Sequence, residues 1–132
     1  MKKFLAIDYG LKRIGVAIGD SESKLALPYK IIENKNKNFV LRELKDIIVD
    51  NQTDKIIIGM PYGLAGKKGD NPMMKKVKLF SNFLKDNLDI GIILEDERYT
   101  SRLADNLLKG GKNKKRDDVA ASLILQSYLD KI

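Results

Sequence analysis

The order of apolar segments constrains the fold of this chain more than any other feature of its sequence. Two short continuous apolar runs, at residues 55–60 and 90–94, each follow a segment with apolar residues at helical spacing. Runs of this length without polar alternation are typical of strands buried on both faces, and Pro61 stops the first run. Strands that alternate with helices in this way predict parallel pairing in an α/β sheet.

Two amphipathic helices are predicted, one before each of these two strands. The first covers residues 39–51 with Asn38 as its predicted N-cap. The second begins with Asn71 as N-cap and Pro72 at the first helical position, where proline is well tolerated. Their predicted apolar faces are Val40, Leu44, Ile47 and Ile48 in the first helix and Met73, Val77, Phe80 and Leu84 in the second.

Three further strands precede these helices, at residues 3–9, 13–20 and 25–32, and their short connections predict an antiparallel meander. A short helix is predicted at 101–108 and a last one at 117–129. The order predicts an α/β, RNase H-like fold with a five-stranded mixed sheet, three antiparallel strands followed by two parallel ones, flanked by helices. With 132 residues, 43% of them hydrophobic, we expect a single domain over 1–132.

Asp8 is the first candidate for a functional residue. It follows four consecutive apolar residues, so it lies at the carboxyl end of a central strand, where open α/β sheets form their ligand crevice. An aspartate before a glycine also commonly starts a turn by accepting backbone N–H groups. Taken alone, the residue leaves both interpretations open.

Two other acidic groups are expected near the same edge. Residues 95–97 form an acidic turn after the last strand, although an acidic turn is often merely solvated. A step of 100° per residue places Asp117 on the apolar stripe of the last helix and turns Asp118 toward its polar edge. A carboxylate on a buried face needs a partner or a cation, whereas an acid in a first helical turn also suits the helix dipole.

The residue types limit the chemistry of such a site. The chain has no histidine and no cysteine, which excludes imidazole bases, thiolate nucleophiles and soft-metal centres. Converging carboxylates repel one another unless a cation holds them, and their oxygens suit Mg²⁺ or Mn²⁺. Hydrolysis by metal-activated water is therefore the mechanism that this composition favours.

The formal charge of +7 favours an anionic partner such as nucleic acid, although many basic surfaces are simply solvated. No run approaches the roughly 18 apolar residues of a membrane-spanning helix. The absence of cysteine agrees with a cytoplasmic protein that has no membrane partner.

Four motifs, in order along nearly the whole chain, give a specific resemblance. They are Ile7-Asp8-Tyr9-Gly10 with Arg13-Ile14-Gly15-Val16-Ala17, then Gly59-Met60-Pro61, then Asp96-Glu97-Arg98-Tyr99-Thr100-Ser101, and Asp117-Asp118-Val119-Ala120-Ala121 with Ile124-Leu125-Gln126-Ser127-Tyr128-Leu129. With these motifs the chain resembles the YqgF/RuvX family. The resemblance implies an RNase H-like, bacterial, cytoplasmic nuclease that matures the 5′ end of pre-16S ribosomal RNA, a family also described as Holliday junction resolvases.

The resemblance also implies which residues act. Carried over by position, the catalytic and metal-binding acids are Asp8, Glu97 and Asp117, with Mg²⁺ or Mn²⁺ as the cofactor. The chain departs from RNase H and the classical resolvases at Gly59-Met60-Pro61, where those proteins usually carry a second acid.

Basic residues are expected to bind the nucleic acid. Arg13, Arg98 and Arg102 are candidates to clamp phosphate, because guanidinium groups bind it in a forked geometry. Lys67 and Lys68, together with the run Lys114, Lys115 and Arg116, are candidates to hold the backbone without reading sequence. Plain surface solvation is the alternative for Arg102 and for the lysine-rich runs.

The functional alternatives differ in substrate and in class. The first is an endonuclease for structured RNA, above all pre-rRNA, and the second cleaves branched DNA at a four-way junction, which favours a homodimer over a monomer. The third is a nucleic-acid-binding ribosome-assembly factor with weak or no catalysis. An actin-like ATPase would need two domains around its nucleotide, and this chain has room for one.

Overall fold

The computed structural model describes residues 1–62, 71–96 and 117–132. Within these ranges the elements are β1 (Lys3–Asp8), β2 (Arg13–Asp20), β3 (Leu27–Glu33), α1 (Lys37–Asn51), β4 (Lys55–Met60), α2 (Pro72–Asn87), β5 (Gly91–Asp96) and α3 (Asp117–Leu129). The predicted order of strands and longer helices is confirmed. The short helix predicted at 101–108 lies outside the described residues.

In the part of the chain that is described, the strands form one five-stranded sheet in the order β3-β2-β1-β4-β5. β1 pairs antiparallel with β2 and β2 antiparallel with β3, whereas β1 with β4 and β4 with β5 pair in parallel. The mixed sheet predicted from the sequence is therefore confirmed. β1 lies at the centre, so the residue that ends it is flanked by strands on both sides.

Side chains alternate between the two faces of the sheet, as the pleat of a strand requires. In β1, Leu5 and Ile7 pack with the buried residues of α1 and α2 on one face. Phe4 and Ala6 pack on the other face with Ala121, Ile124, Leu125 and Leu129 of α3. We call the second face the α3 face. Asp8 is two residues beyond Ala6, so its side chain belongs to the α3 face.

Several predicted strand boundaries are wrong by one or two residues. β3 begins at Leu27 instead of residue 25, because Leu25 and Ala26 donate their N–H groups to the side chains of Ser23 and Gln126. β5 extends to Asp96, so Glu95 and Asp96 pair with β4 and do not form a turn.

The N-cap of α1 is Asn36, not Asn38; its Oδ1 accepts the N–H of Phe39 at 2.8 Å. Asparagine is a good N-cap at either position, so the residue type alone does not decide where α1 begins. In α2 the predicted caps at Asn71 and Pro72 are confirmed, but Met74 is buried in place of Met73. Among the described residues, no helix is both long and apolar enough to cross a membrane.

Candidate active site

The site is built around Asp8 at the carboxyl end of β1. In the antiparallel pair of β1 and β2, Asp8 lies directly opposite Gly15. Residues opposite each other in such a pair have Cα atoms about 4.5–5.5 Å apart. Whatever packs against Gly15 on the α3 face therefore lies close to the carboxylate of Asp8.

The first turn of α3 packs against Gly15. A Cβ atom placed on Gly15 would lie 1.9 Å from the carbonyl oxygen of Asp117 and 2.8 Å from the nitrogen of Asp118. No side chain fits in that space, so only glycine allows the helix to approach so closely. This contact brings Asp117 next to Asp8, although 108 intervening residues separate them along the chain.

Asp117 is oriented by an arginine from β2. The Nε of Arg13 donates to Oδ2 of Asp117 at 3.0 Å, and the exposed fractions of the two side chains are 66% and 30%. Arg13 is two residues before Gly15, so it lies on the same face of the sheet. Asp117 is also in the first turn of α3, where the helix dipole favours a negative charge.

Asp118 takes the buried position that the sequence pattern assigned to Asp117. Its exposed fraction is 6%, and its Oδ1 accepts the N–H of Val119 at 3.0 Å. The predicted orientation of the two aspartates is therefore wrong. The reason is that α3 is apolar around most of its circumference, so its sequence does not define where the centre of the buried stripe lies.

Glu95 at the end of β5 is buried and is bound by the far end of α3. Its exposed fraction is 4%; its Oε2 accepts from Oγ of Ser127 at 3.0 Å and forms an ion pair with Nζ of Lys131. Glu95 pairs with Gly59, and Ile58 next to Gly59 pairs with Ile7, so Glu95 lies at about the level of Asp8, two strands away. The sequence pattern alone did not reveal that Glu95 joins β5 to α3.

The described residues supply part of the expected metal site. Asp8 and Asp117 provide carboxylate oxygens on one face at one edge of the sheet, which is the donor chemistry that Mg²⁺ and Mn²⁺ require. Among the described residues, no three Asp or Glu side chains are placed to hold a metal ion together. Glu97, the expected third ligand, lies outside the described residues. β4 ends in Gly59 and Met60, so it contributes no acid.

Of the predicted nucleic-acid-binding residues, Arg13 is the one that the structure describes. It is exposed beside Asp117, at the edge where Asp8 lies. The other predicted contacts lie outside the described ranges, and they are Lys67, Lys68, Arg98, Arg102, Lys114, Lys115 and Arg116.

Comparisons with solved structures agree on the fold. The RuvC protein of T. thermophilus in complex with a Holliday junction substrate superposes with a TM-score of 0.63 at 8% identity, covering 99% of this chain and 95% of that one. The Holliday junction resolvase of fowlpox virus gives a TM-score of 0.62 at 19% identity, with 98% and 99% covered. These similarities confirm the predicted RNase H-like fold.

Comparisons of sequence identify the family. A relative from Sulfurihydrogenibium sp. (strain YO3AOP1), named "putative pre-16S rRNA nuclease", is 40% identical over 100% of this chain and 92% of its own length. A protein of the same name from Rickettsia peacockii (strain Rustic) is 39% identical over 97% of this chain and 86% of its own. The RuvX family model, described as Holliday junction resolvase, matches residues 2–131. The chain therefore belongs to the RuvX family.

Proposed function

We propose that this protein is a metal-dependent endonuclease that hydrolyses phosphodiester bonds at the 5′ end of pre-16S rRNA. One observation carries the proposal: the first turn of α3 packs on Gly15, which brings Asp117 next to Asp8 at the carboxyl end of the central strand. Two carboxylates held close together repel each other, and a shared cation relieves this repulsion. The family and the names of its relatives support a nuclease.

In this proposal Asp8, Glu97 and Asp117 are the catalytic acids and hold Mg²⁺ or Mn²⁺. An ion bound there supplies positive charge to the reacting phosphate and lowers the pKa of the attacking water. Arg13 holds Asp117 in one orientation through Nε. The side chain of Arg13 is 66% exposed, and we propose that its remaining guanidinium nitrogens donate to a phosphate of the substrate.

The substrate is bound mainly through its backbone. We propose that Arg13, Lys67, Lys68, Arg98, Arg102, Lys114, Lys115 and Arg116 contact phosphate groups, which agrees with the net charge of +7. Phosphate contacts fix position and register and carry no sequence information by themselves. Recognition of the pre-rRNA end then depends on its structure more than on its bases.

A second candidate substrate is a four-way DNA junction. The description of the family model and the likeness of the fold to a RuvC bound to a Holliday junction favour it. Resolution of a junction needs cuts in two strands, and two copies of this chain would present two sites related by a two-fold axis.

The proposal is tested by cleavage assays with purified protein and Mg²⁺ or Mn²⁺. A 5′-extended pre-16S rRNA fragment and a four-way DNA junction are compared, using the wild type, Asp8→Asn and the control Asp46→Asn on the exposed side of α1. We expect cleavage of the RNA by the wild type and by Asp46→Asn, with none by Asp8→Asn. Equal cleavage by Asp8→Asn would refute the site, and cleavage of the junction alone would select the second candidate.

A rescue experiment separates catalysis from assembly. In cells that lack the protein, the double variant Asp8→Asn, Glu97→Gln is expected to leave the 5′ end of 16S rRNA unprocessed. If this variant restores normal maturation, the protein acts by binding and the nuclease proposal is wrong.

A further inference from the structure

A concave surface lies beside Arg13, at the turn that joins β1 to β2. It has a volume of about 400 Å³ and is lined by Leu11, Lys12, Arg13, Glu33, Asn34 and Lys35. These residues come from the β1–β2 turn, the start of β2, the end of β3 and the β3–α1 connection. We call this concave surface the hairpin groove. The groove contains three cationic side chains and one carboxylate, so its own charge is positive.

Hydrogen bonds hold the two sides of the hairpin groove together. The N–H of Asn34 donates to the carbonyl of Lys12 at 2.9 Å, and Nδ2 of Asn34 donates to the carbonyl of Gly10 at 2.9 Å. The turn is also tight, because a Cβ atom on Gly10 would lie 2.3 Å from the carbonyl oxygen of Arg13. The groove is thus fixed before any ligand arrives, which lowers the entropy cost of binding.

The cationic side chains of the groove are exposed to solvent. Lys35 lies 4.0 Å from a carboxylate oxygen of Glu33, and its Nζ lies 4.8 Å from the centre of the Phe39 ring. Lys12 is exposed on the turn. Exposed ion pairs of this kind are weak, so Lys35 is available to a stronger anion such as phosphate.

Arg13 connects the groove to the candidate active site. Its Nε is bonded to Asp117, while the rest of its side chain lines the groove. Arg13 precedes Gly15 by two residues, which places it about 7 Å along β2 from the position opposite Asp8. An anionic chain that crosses Asp8 and Asp117 toward this edge therefore passes Arg13 and enters the groove.

We infer that the hairpin groove is a phosphate-binding subsite, in which Lys12, Arg13 and Lys35 hold the nucleic-acid backbone next to the scissile bond. This inference rests on the proposed function and adds a direction for the substrate: across the β1–β2 turn toward the start of α1. The ligand is the phosphodiester chain, which is common to RNA and DNA. Leu11, exposed at the tip of the turn, borders the same path.

The test measures binding in the Asp8→Asn background, so that the probe stays intact. The probes are a 5′-extended pre-16S rRNA fragment and a four-way DNA junction, each followed by fluorescence anisotropy over a range of KCl concentrations. The test variant is Lys12→Gln, Lys35→Gln. The control is Lys45→Gln, Lys85→Gln, which removes the same charge from exposed positions on α1 and α2.

We expect the groove variant to raise the Kd roughly tenfold or more and to reduce the slope of log K against log salt by about 1 to 2 units, since two phosphate contacts are lost. The control should change the slope by much less. Lys12→Arg, Lys35→Arg should recover most of the lost affinity. Asn34→Ser should weaken binding by a smaller factor without any change of charge, because it removes the side-chain bond to Gly10 and keeps the backbone bond to Lys12.

Equal effects of the groove and control variants would overturn the inference, because bulk charge would then explain them. Unchanged binding by the groove variant would overturn it as well. Neither result concerns the cleavage assay with Asp8→Asn, so failure of the subsite and failure of the proposed function remain distinguishable. Thermal unfolding of each variant confirms that these exposed substitutions leave the fold intact.

Discussion

The Nε atom of Arg13 lies 3.0 Å from Oδ2 of Asp117, which joins the start of β2 to the first turn of α3. A partly exposed ion pair contributes little to stability, about 0–1 kcal/mol. Its effect is on orientation, because it fixes one carboxylate oxygen of Asp117 relative to β2.

We therefore expect Arg13→Gln to reduce kcat by about 10- to 100-fold, as removal of the partner of a metal-binding residue typically does. The free energy of unfolding should change by less than about 1 kcal/mol. Steady-state kinetics with titrated Mn²⁺ provide the measurement, and the concentration of Mn²⁺ needed for half-maximal activity should rise. Arg13→Lys keeps the charge without the planar fork and should recover only part of the activity. If only KM changes, Arg13 binds the substrate and does not position Asp117 for catalysis.

The contact between Gly15 and α3 predicts a large effect of a single methyl group. Gly15→Ala should lower the free energy of unfolding by about 1–3 kcal/mol, because the new Cβ has no space against the backbone of Asp117. It should also abolish cleavage, since α3 has to move away from Asp8. Urea unfolding and the cleavage assay measure the two effects.

Gly91→Ala is the matched control. A Cβ on Gly91 would lie 3.7 Å from Cγ of Lys55, which is an ordinary contact, so stability should stay the same or rise by less than about 1 kcal/mol. If the Gly15 and Gly91 variants are equally stable, α3 does not pack as closely on Gly15 as the structure shows.

Asp117 and Asp118 should separate activity from stability. Asp117→Ala is expected to abolish cleavage while it changes the free energy of unfolding by less than about 1 kcal/mol, because its side chain is partly exposed. Asp118→Ala should cost about 1–2 kcal/mol, since it removes a buried acceptor in the first turn of α3. Chemical unfolding and single-turnover cleavage of both variants make the comparison. If Asp118→Ala abolishes cleavage and Asp117→Ala lowers stability, then Asp118 is the catalytic residue and Asp117 the structural one.

Glu95 is expected to be a structural residue. Glu95→Ala should lower the free energy of unfolding by about 1–3 kcal/mol, because Ser127 and Lys131 then lose their buried acceptor. A double-mutant cycle with Lys131→Ala should give a favourable coupling energy of about 0.5 kcal/mol or more. If Glu95→Ala leaves stability unchanged and weakens Mn²⁺ binding instead, Glu95 belongs to the metal site.

Asp20, at the opposite end of β2 from Arg13, makes the stability of the fold depend on pH. Its pKa is lowered, first because the backbone N–H of Ser23 donates to its carboxylate; the hydroxyl of Ser23 and the N–H of Glu22 also lower it. Because the pKa of Asp20 is lower in the folded state, its ionised carboxylate adds to the free energy of unfolding at pH values above the unfolded pKa. This contribution is lost as the pH falls through the folded pKa. NMR titration should find the Asp20 midpoint below that of an unfolded peptide. The Ser23→Ala variant, which keeps the backbone donor, should raise the midpoint only slightly.

The order of elements and the type of pairing followed from the sequence because they depend on local patterns. The apolar runs of β4 and β5 and the cap at Asn71 are read within a few residues of the chain. Two of the errors lie where two nearby residues are chemically equivalent. Asn36 and Asn38 are both good caps, and Met73 and Met74 are both apolar, so a contact with another part of the chain makes the choice.

The same division holds for the site. The sequence by itself placed Asp8 at the end of a central strand and Asp117 at the start of the last helix, because a strand ends where its apolar run ends and a helix favours acids in its first turn. Only the tertiary structure decided that these ends meet, through a Gly15 that has no side chain to keep α3 away. It also decided that Asp118 is buried while Asp117 is partly exposed, and that Glu95 binds Ser127 and Lys131. The physical reason is that these contacts join residues far apart in sequence, whose distances are set by the packing of α3 on the sheet and by no local pattern.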